Sequence, residues 1–192
     1  MHQIHKTFLQ LHRLAWVVLL FHALFLIFTR ISFIPDITFG VKMLLCLSGA
    51  VLFFFYFKPF KQIAFYYAIY VFTPLLVWLS WLIDGIMFAL VSTIPLLFIS
   101  PNEVVFEEGD YTVYQRFNGF LAPCCSYEVV ENRFYLFEKS VGGIKYEGDI
   151  DFDKAKMEID GKKVSLMFDY EYYDYNKKQE IKKDTTIFIG TK

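Results

Sequence analysis

The stretch IAFYYAIYVFTPLLVWLSWLIDGIMFALVSTIPLLFI, residues 63–99, carries a single charge, Asp84, in 37 residues. As one helix it would run about 55 Å at ~1.5 Å per residue, against a bilayer hydrocarbon core of roughly 30 Å. One straight helix is therefore too long to be a single span, and too oily to hide inside so small a soluble body. Asp84-Gly85 is a turn-forming dipeptide that breaks the run. It leaves a full span, Ile63–Ile83, and a shorter segment, Ile86–Ile99, whose length of about 14 residues also suits a re-entrant or interfacial helix.

Two further runs lie upstream. Phe39–Phe57 is apolar apart from Lys42 and Ser48, and Lys58-Pro59 closes it. Lys42 is near enough to one end to snorkel. Leu14–Phe28 is unbroken except for His22. Lys6 and Arg13 precede that run as in a signal peptide, but no small-residue cleavage site follows Phe28, so an uncleaved first helix is expected. The expected anchor is thus an α-helical membrane bundle in residues 1–100, with four spans at about 14–28, 39–57, 63–83 and 86–99. Tyr66, Tyr67, Tyr70, Trp78 and Trp81 fall toward the ends of the third span, where interfacial aromatic belts sit.

Charge divides the chain at the same place. Residues 1–100 hold six basic residues (Lys6, Arg13, Arg30, Lys42, Lys58, Lys61) against Asp36 and Asp84, a net of +4. The remaining 13 basic and 18 acidic residues give residues 101–192 a net of −5. An acidic soluble half argues against a nucleic-acid partner, which needs a clustered basic face. With four spans and the N-terminus in the cytoplasm, Lys6, Arg13, Lys58 and Lys61 lie inside and Arg30 and Lys42 outside, as the positive-inside rule prefers. That returns residues 101–192 to the cytoplasm. If 86–99 does not cross, the same start places them outside.

From Pro101 the pattern changes to short alternating runs with turn signals. Glu103–Glu107, Tyr111–Phe117, Tyr127–Glu131, Arg133–Lys139, Gly143–Tyr146, Lys154–Ile159, Lys163–Tyr173 and Ile181–Ile189 read as strands. Asp160-Gly161 is a two-residue hairpin signal. Glu131-Asn132-Arg133 and Asn176-Lys177-Lys178 read as further hairpin loops. The expectation is a soluble all-β meander, a small barrel or a sandwich.

All four histidines lie at or before the end of the first apolar run, which leaves residues 101–192 without histidine for acid/base work, Ser-His or Cys-His pairs, or His-based zinc sites. His5 and His12 are seven apart and could share a helix face, but a polar interfacial segment explains them. His22 and Asp84 are the intramembrane polar candidates. The simplest roles are a neutral imidazole hydrogen-bonded to a neighbouring helix and a carboxylate that helps to turn the chain. Cys124-Cys125 would make a strained mutual bond, and Cys46, in a span, is the one other thiol, so no four-thiolate site can form. Glu147-Gly-Asp149-Ile-Asp151-Phe-Asp153 is like the start of a calcium loop. Lys154 stands where that loop needs glycine, and Asp160 stands at its twelfth position, so an edge strand or turn with Ile150 and Phe152 inward and the acids outward fits better. Tyr170, Tyr172, Tyr173 and Tyr175 are the candidate binding surface, although sheets favour tyrosine in any case.

No P-loop, dinucleotide fingerprint, H-E-x-x-H or G-x-S-x-G is present. The leading expectation is a membrane-anchored, non-enzymatic protein without cofactor or metal, whose β domain binds another protein in an accessory or protective, immunity-type role. Its partners would be the lipid bilayer and that protein. The alternative is a small transporter or channel, made by homo-oligomerising the spans, with His22, Asp84, Ser48 and Thr73 lining a polar path. A membrane enzyme using the paired carboxylates ranks last.

Overall fold

The computed structural model describes residues 2–58, 61–120, 126–145, 149–160, 163–174 and 179–190. Four helices come first: α1 (His2–Thr29), α2 (Pro35–Phe57), α3 (Ile63–Ile83) and α4 (Gly85–Ile99). A β-rich region follows, as the change of period at Pro101 predicts. The helices α1, α2 and α3 are long and apolar enough to cross a bilayer. Helix α4, with 15 residues, is only about 22 Å long.

The helix boundaries have local causes. Pro35 opens α2, where its missing N–H costs nothing, and Asp36 places a negative charge in the first turn. Asp84 separates α3 from α4 with extended backbone, and its Oδ1 accepts from the Ile86 N–H at 3.4 Å as an N-cap. Arg30 ends α1 in the left-handed region, at φ 57°.

The chain falls into two compact units. The helical unit is Met1–Thr29, Phe33–Pro101 and Gly119–Leu121; the β unit is Arg30–Ser32, Asn102–Asn118 and Ala122–Lys192. The strands are β1 (Ile31–Phe33), β2 (Glu103–Glu108), β3 (Tyr111–Arg116), β4 (Ser126–Arg133), β5 (Phe137–Lys145), β6 (Asp149–Asp160), β7 (Lys163–Asp174) and β8 (Gln179–Gly190). They form one five-stranded sheet in the order β1-β5-β4-β3-β2 and one three-stranded sheet in the order β6-β7-β8. Strands β2 to β5, and β6 to β8, are antiparallel meanders. The edge strand β1 comes from the link between α1 and α2.

Within the β unit the two sheets share one apolar core. Val113, Tyr127, Val129, Val141 and Ile144 of the larger sheet meet Met157, Val164, Leu166 and Phe168 of the smaller one. The alternation Val164-Leu166-Phe168 points one face of β7 into this core, so the arrangement is a sandwich. The acid-rich strand β6 is an edge, and Ile150 and Phe152 pack on the core as its alternation implies. Asp160 pairs with Lys163, so β6 and β7 are consecutive antiparallel strands as the Asp-Gly signal predicts, and Gly161 lies outside the described residues. Gly109, at φ 61°, opens the equivalent turn between β2 and β3.

One turn lies elsewhere than expected. Strand β4 runs straight through Glu131-Asn132-Arg133, and the chain turns at Phe134-Tyr135-Leu136 before β5 starts at Phe137. Asn132 is a turn former whose groups are engaged in the sheet. Its N–H donates to the Asp110 carbonyl at 2.7 Å, and its Nδ2 donates to Thr112 Oγ1 at 3.0 Å. The expected strands Arg133–Lys139 and Gly143–Tyr146 accordingly become a turn and a single strand. Cys124, Cys125, Glu147, Tyr175 and the loop 176–178 lie outside the described residues.

Candidate functional site

Register pairs Arg133 with Phe137 and leaves three residues at the tip of the β4–β5 hairpin. Its base is braced. The Arg133 guanidinium donates to both carboxylate oxygens of Glu131, at 3.3 and 3.0 Å, and Asn132 is tied to the β2–β3 hairpin as above. At the tip, Phe134 and Tyr135 both take left-handed backbone, at φ 54° and 58°, and the Leu136 N–H donates to the Phe134 carbonyl at 2.7 Å. For an L-residue with a bulky side chain this conformation costs on the order of 1–2 kcal/mol. Asn-Gly would make such a turn without strain; here two aromatic residues make it.

The same three residues are the most exposed apolar group in the unit. Phe134 is 86 %, Tyr135 98 % and Leu136 50 % exposed. Among the described residues of the β unit, Val104 is the one other large apolar side chain classed as exposed. Rigid aromatic rings displayed on a braced turn are suited to filling a pocket in another molecule.

A second constellation lies inside the helical unit. His12 of α1 is buried. Its Nδ1 lies 3.0 Å from Ser48 Oγ of α2, and its Nε2 lies 3.0 Å from the Tyr66 hydroxyl of α3. Trp16 Nε1 donates to Tyr66 Oη at 2.6 Å, and the Tyr66 and Tyr70 hydroxyls are 3.0 Å apart. Ser48 Oγ donates to the Leu45 carbonyl at 3.1 Å, so it can only accept from His12. The donor inventory then assigns the tautomer: His12 Nδ1–H donates to Ser48, Tyr66 donates to Nε2, and Tyr66 Oη accepts from Trp16 and Tyr70. The network closes with a neutral imidazole and every N–H and O–H engaged. It joins three helices, as polar side chains do between apolar helices. Gly49 is required beneath it, because a Cβ there would collide with the Tyr70 ring.

A third feature belongs to the β unit. Glu138 of β5 is buried, and its Oε1 accepts from Ser32 Oγ of β1 at 2.9 Å. Burial pushes the carboxyl above the ordinary carboxylate range, against the lowering effect of hydrogen bonds from Ser32 and Tyr114. The Ser140 N–H donates to the Arg30 carbonyl at 3.0 Å, so β1 is held by backbone and side chain together.

The residues singled out in the sequence are not brought together. His22 Nδ1 accepts from the Phe33 N–H at 3.4 Å, and its ring stacks on Phe33. Asp84 caps α4. Each is occupied with the backbone of a connection, and neither joins Ser48, which faces His12. Tyr170, Tyr172 and Tyr173 are positions of β7, the central strand of its sheet. Three of the five belt aromatics, Tyr66, Tyr67 and Tyr70, gather instead around the buried His12 ring. Comparison with known proteins brings no match: no family model, no curated protein and no solved structure is similar to this chain.

Proposed function

We propose that this protein is a non-enzymatic, membrane-anchored binding protein whose β unit holds a protein partner through the Phe134-Tyr135-Leu136 tip. The observation that carries the reading is the coincidence of backbone strain and apolar exposure at one turn. The exposure is relieved when the two rings seat in a partner's pocket, while the strained backbone holds them displayed for it. Two such rings supply about 300–500 Å² of contact. A stable interface needs roughly 800 Å² per partner. The tip is therefore the centre of an interface, and the strands around it supply the rim.

Charge sets the kind of partner. The net −5 of residues 101–192 favours a pocket with a basic rim and disfavours an anionic lipid surface. The anchor is α1 to α3 in the cell membrane, with the N-terminus in the cytoplasm on the side of Lys6, Arg13, Lys58 and Lys61. An accessory or protective role is the form of this reading in which the tip captures a protein at the membrane.

A photoreactive benzophenone residue at position 135 of the full-length chain, irradiated in the membrane of the expressing cells, tests the proposal. The expected product is one discrete protein adduct, absent when the probe is moved to the exposed strand position 158. Adducts with lipid alone, with a second copy of the chain, or equally from both positions would each overturn it.

A further inference from the structure

We infer that α4 does not cross the membrane but lies in one leaflet, and that the strands of the β unit are therefore on the side opposite the N-terminus, outside the cell. The inference rests on the anchoring reading above and not on the partner of the tip.

Chain connectivity supplies the first argument. Strand β1, between α1 and α2, is an edge of the same sheet as β2 to β5. Its Arg30 carbonyl and Ser32 hydroxyl are bonded to Ser140 and Glu138 of β5. A sheet cannot hydrogen-bond through hydrocarbon, so the α1–α2 link and the β unit share one aqueous compartment. Only α2, α3 and α4 lie between β1 and β2 in the chain, and they must make an even number of crossings. Helices α2 and α3, with 23 and 21 residues, are about 34 and 31 Å long and match the roughly 30 Å core. Helix α4 falls about 8 Å short of it. The two crossings are those of α2 and α3.

A second argument comes from within the helical unit. Helices α2 and α3 are antiparallel neighbours, with Tyr56 stacked on Tyr67 and Gly49 beneath Tyr70. Asp84 thus lies at the level where α2 begins. A crossing α4 would carry Phe98 about 20 Å along α2, to the level of Gly49. Instead the Lys42 ammonium, two turns from the start of α2, sits 5.3 Å from the centre of the Phe98 ring. The Phe98 ring is thus nearer the start of α2 than its end.

The surface of α4 fits acyl chains. Ile86, Leu90, Ile94 and Leu97 recur at helical spacing and are all exposed. Its two hydroxyls are turned back onto the helix, Ser92 to the Phe88 carbonyl and Thr93 to the Ala89 carbonyl. The helix therefore offers lipid an apolar surface with these hydroxyls already engaged.

The test uses the full-length chain in intact cells, with Cys46→Ala, Cys124→Ala and Cys125→Ala as background and single cysteines labelled by a membrane-impermeant maleimide. Arg30→Cys and Glu107→Cys are expected to react from outside. Lys6→Cys and Lys61→Cys are expected to react only after the cells are opened, and Ile94→Cys only after detergent. Labelling of Glu107→Cys together with Lys61→Cys, opposite to Arg30→Cys, would show that α4 crosses and overturn the inference. Outside labelling of Lys6→Cys and Lys61→Cys with Arg30→Cys and Glu107→Cys protected would overturn the outward placement, and direct reaction of Ile94→Cys would overturn its burial in lipid. Release of the chain from membranes by an alkaline wash would instead sink the anchoring reading. If the cysteine-free background does not accumulate, tags at the two ends of the unsubstituted chain serve: external protease should remove the C-terminal tag alone, and loss of neither tag or of both contradicts the inference.

Discussion

Large exposed apolar side chains mean different things in the two units. In the helical unit they are spread over every helix: Phe28 of α1, Phe54 of α2, Ile83 of α3 and Ile94 of α4 are examples. Such a surface suits an apolar solvent, and α1 to α3 are long enough to cross a bilayer. Among the described residues of the β unit, the large exposed apolar side chains are Val104 and the three of one turn, on backbone that two of those three adopt only under strain. On the reading proposed above, that turn is kept for a partner and not for a solvent. The polar groups show the converse. Among the helices His12, Ser48, Tyr66 and Trp16 share one hydrogen-bond network, whereas the β unit holds charged groups such as the Arg116–Glu128 pair and the buried Glu138.

The largest effect that would break this contrast is on binding. Phe134→Ala combined with Tyr135→Ala should weaken the partner by about 4 kcal/mol, on the order of a thousandfold, with no loss in the thermal midpoint of the chain. A titration of the partner identified by crosslinking reads the first, and a melt in detergent reads the second. Gly49→Ala should cost the helical unit about 1–3 kcal/mol by forcing Tyr70 away from α2, read as a lower midpoint without a change at the tip. His12→Ala should cost about 1 kcal/mol, because Ser48 and Tyr66 lose their shared partner. A larger loss of transport than of stability in that variant would revive the channel reading.

Two smaller effects sharpen the comparison. Phe134→Gly should stabilise the β unit by roughly 1 kcal/mol through relief of left-handed strain, while still weakening the partner. Stability and binding then move in opposite directions at one position, which a merely structural turn would not show. Glu138→Gln should change a pH profile. The raised carboxyl holds its proton more tightly in the folded state than in the unfolded one, so stability is greatest at or below the ordinary carboxylate range and falls as pH rises through the folded value. The variant should lack that fall, and denaturant midpoints across a pH series measure it.

The sequence showed the helices clearly because their signal is local. An apolar run of bilayer length, closed by Asp84-Gly85 or Lys58-Pro59, needs no partner to be recognised. The meander was readable for the same reason, with strand alternation in Val164-Leu166-Phe168 and a turn at Asp160-Gly161. What was missed is non-local. Ile31-Ser32-Phe33 is too short to show a period, and its partner Glu138 lies 106 residues away. His12 reads as an interfacial residue until Ser48 and Tyr66, 36 and 54 residues on, close around it. The tip was missed because turn chemistry points to Asn132, while the turn itself falls on residues that turns normally avoid. A contradiction between local preference and observed backbone is where function is expected to show.

The measurement closest to the central contrast places nitroxides at two exposed apolar positions, Leu76→Cys in α3 and Tyr135→Cys at the tip, in the full-length chain reconstituted in bilayers. Collision with oxygen reports lipid and collision with a water-soluble nickel chelate reports water. The account requires Leu76 to be open to oxygen and shielded from nickel, and Tyr135 to be open to nickel. A tip shielded from nickel like Leu76, or a Leu76 position open to it, would contradict the assignment of the two surfaces to lipid and to a partner.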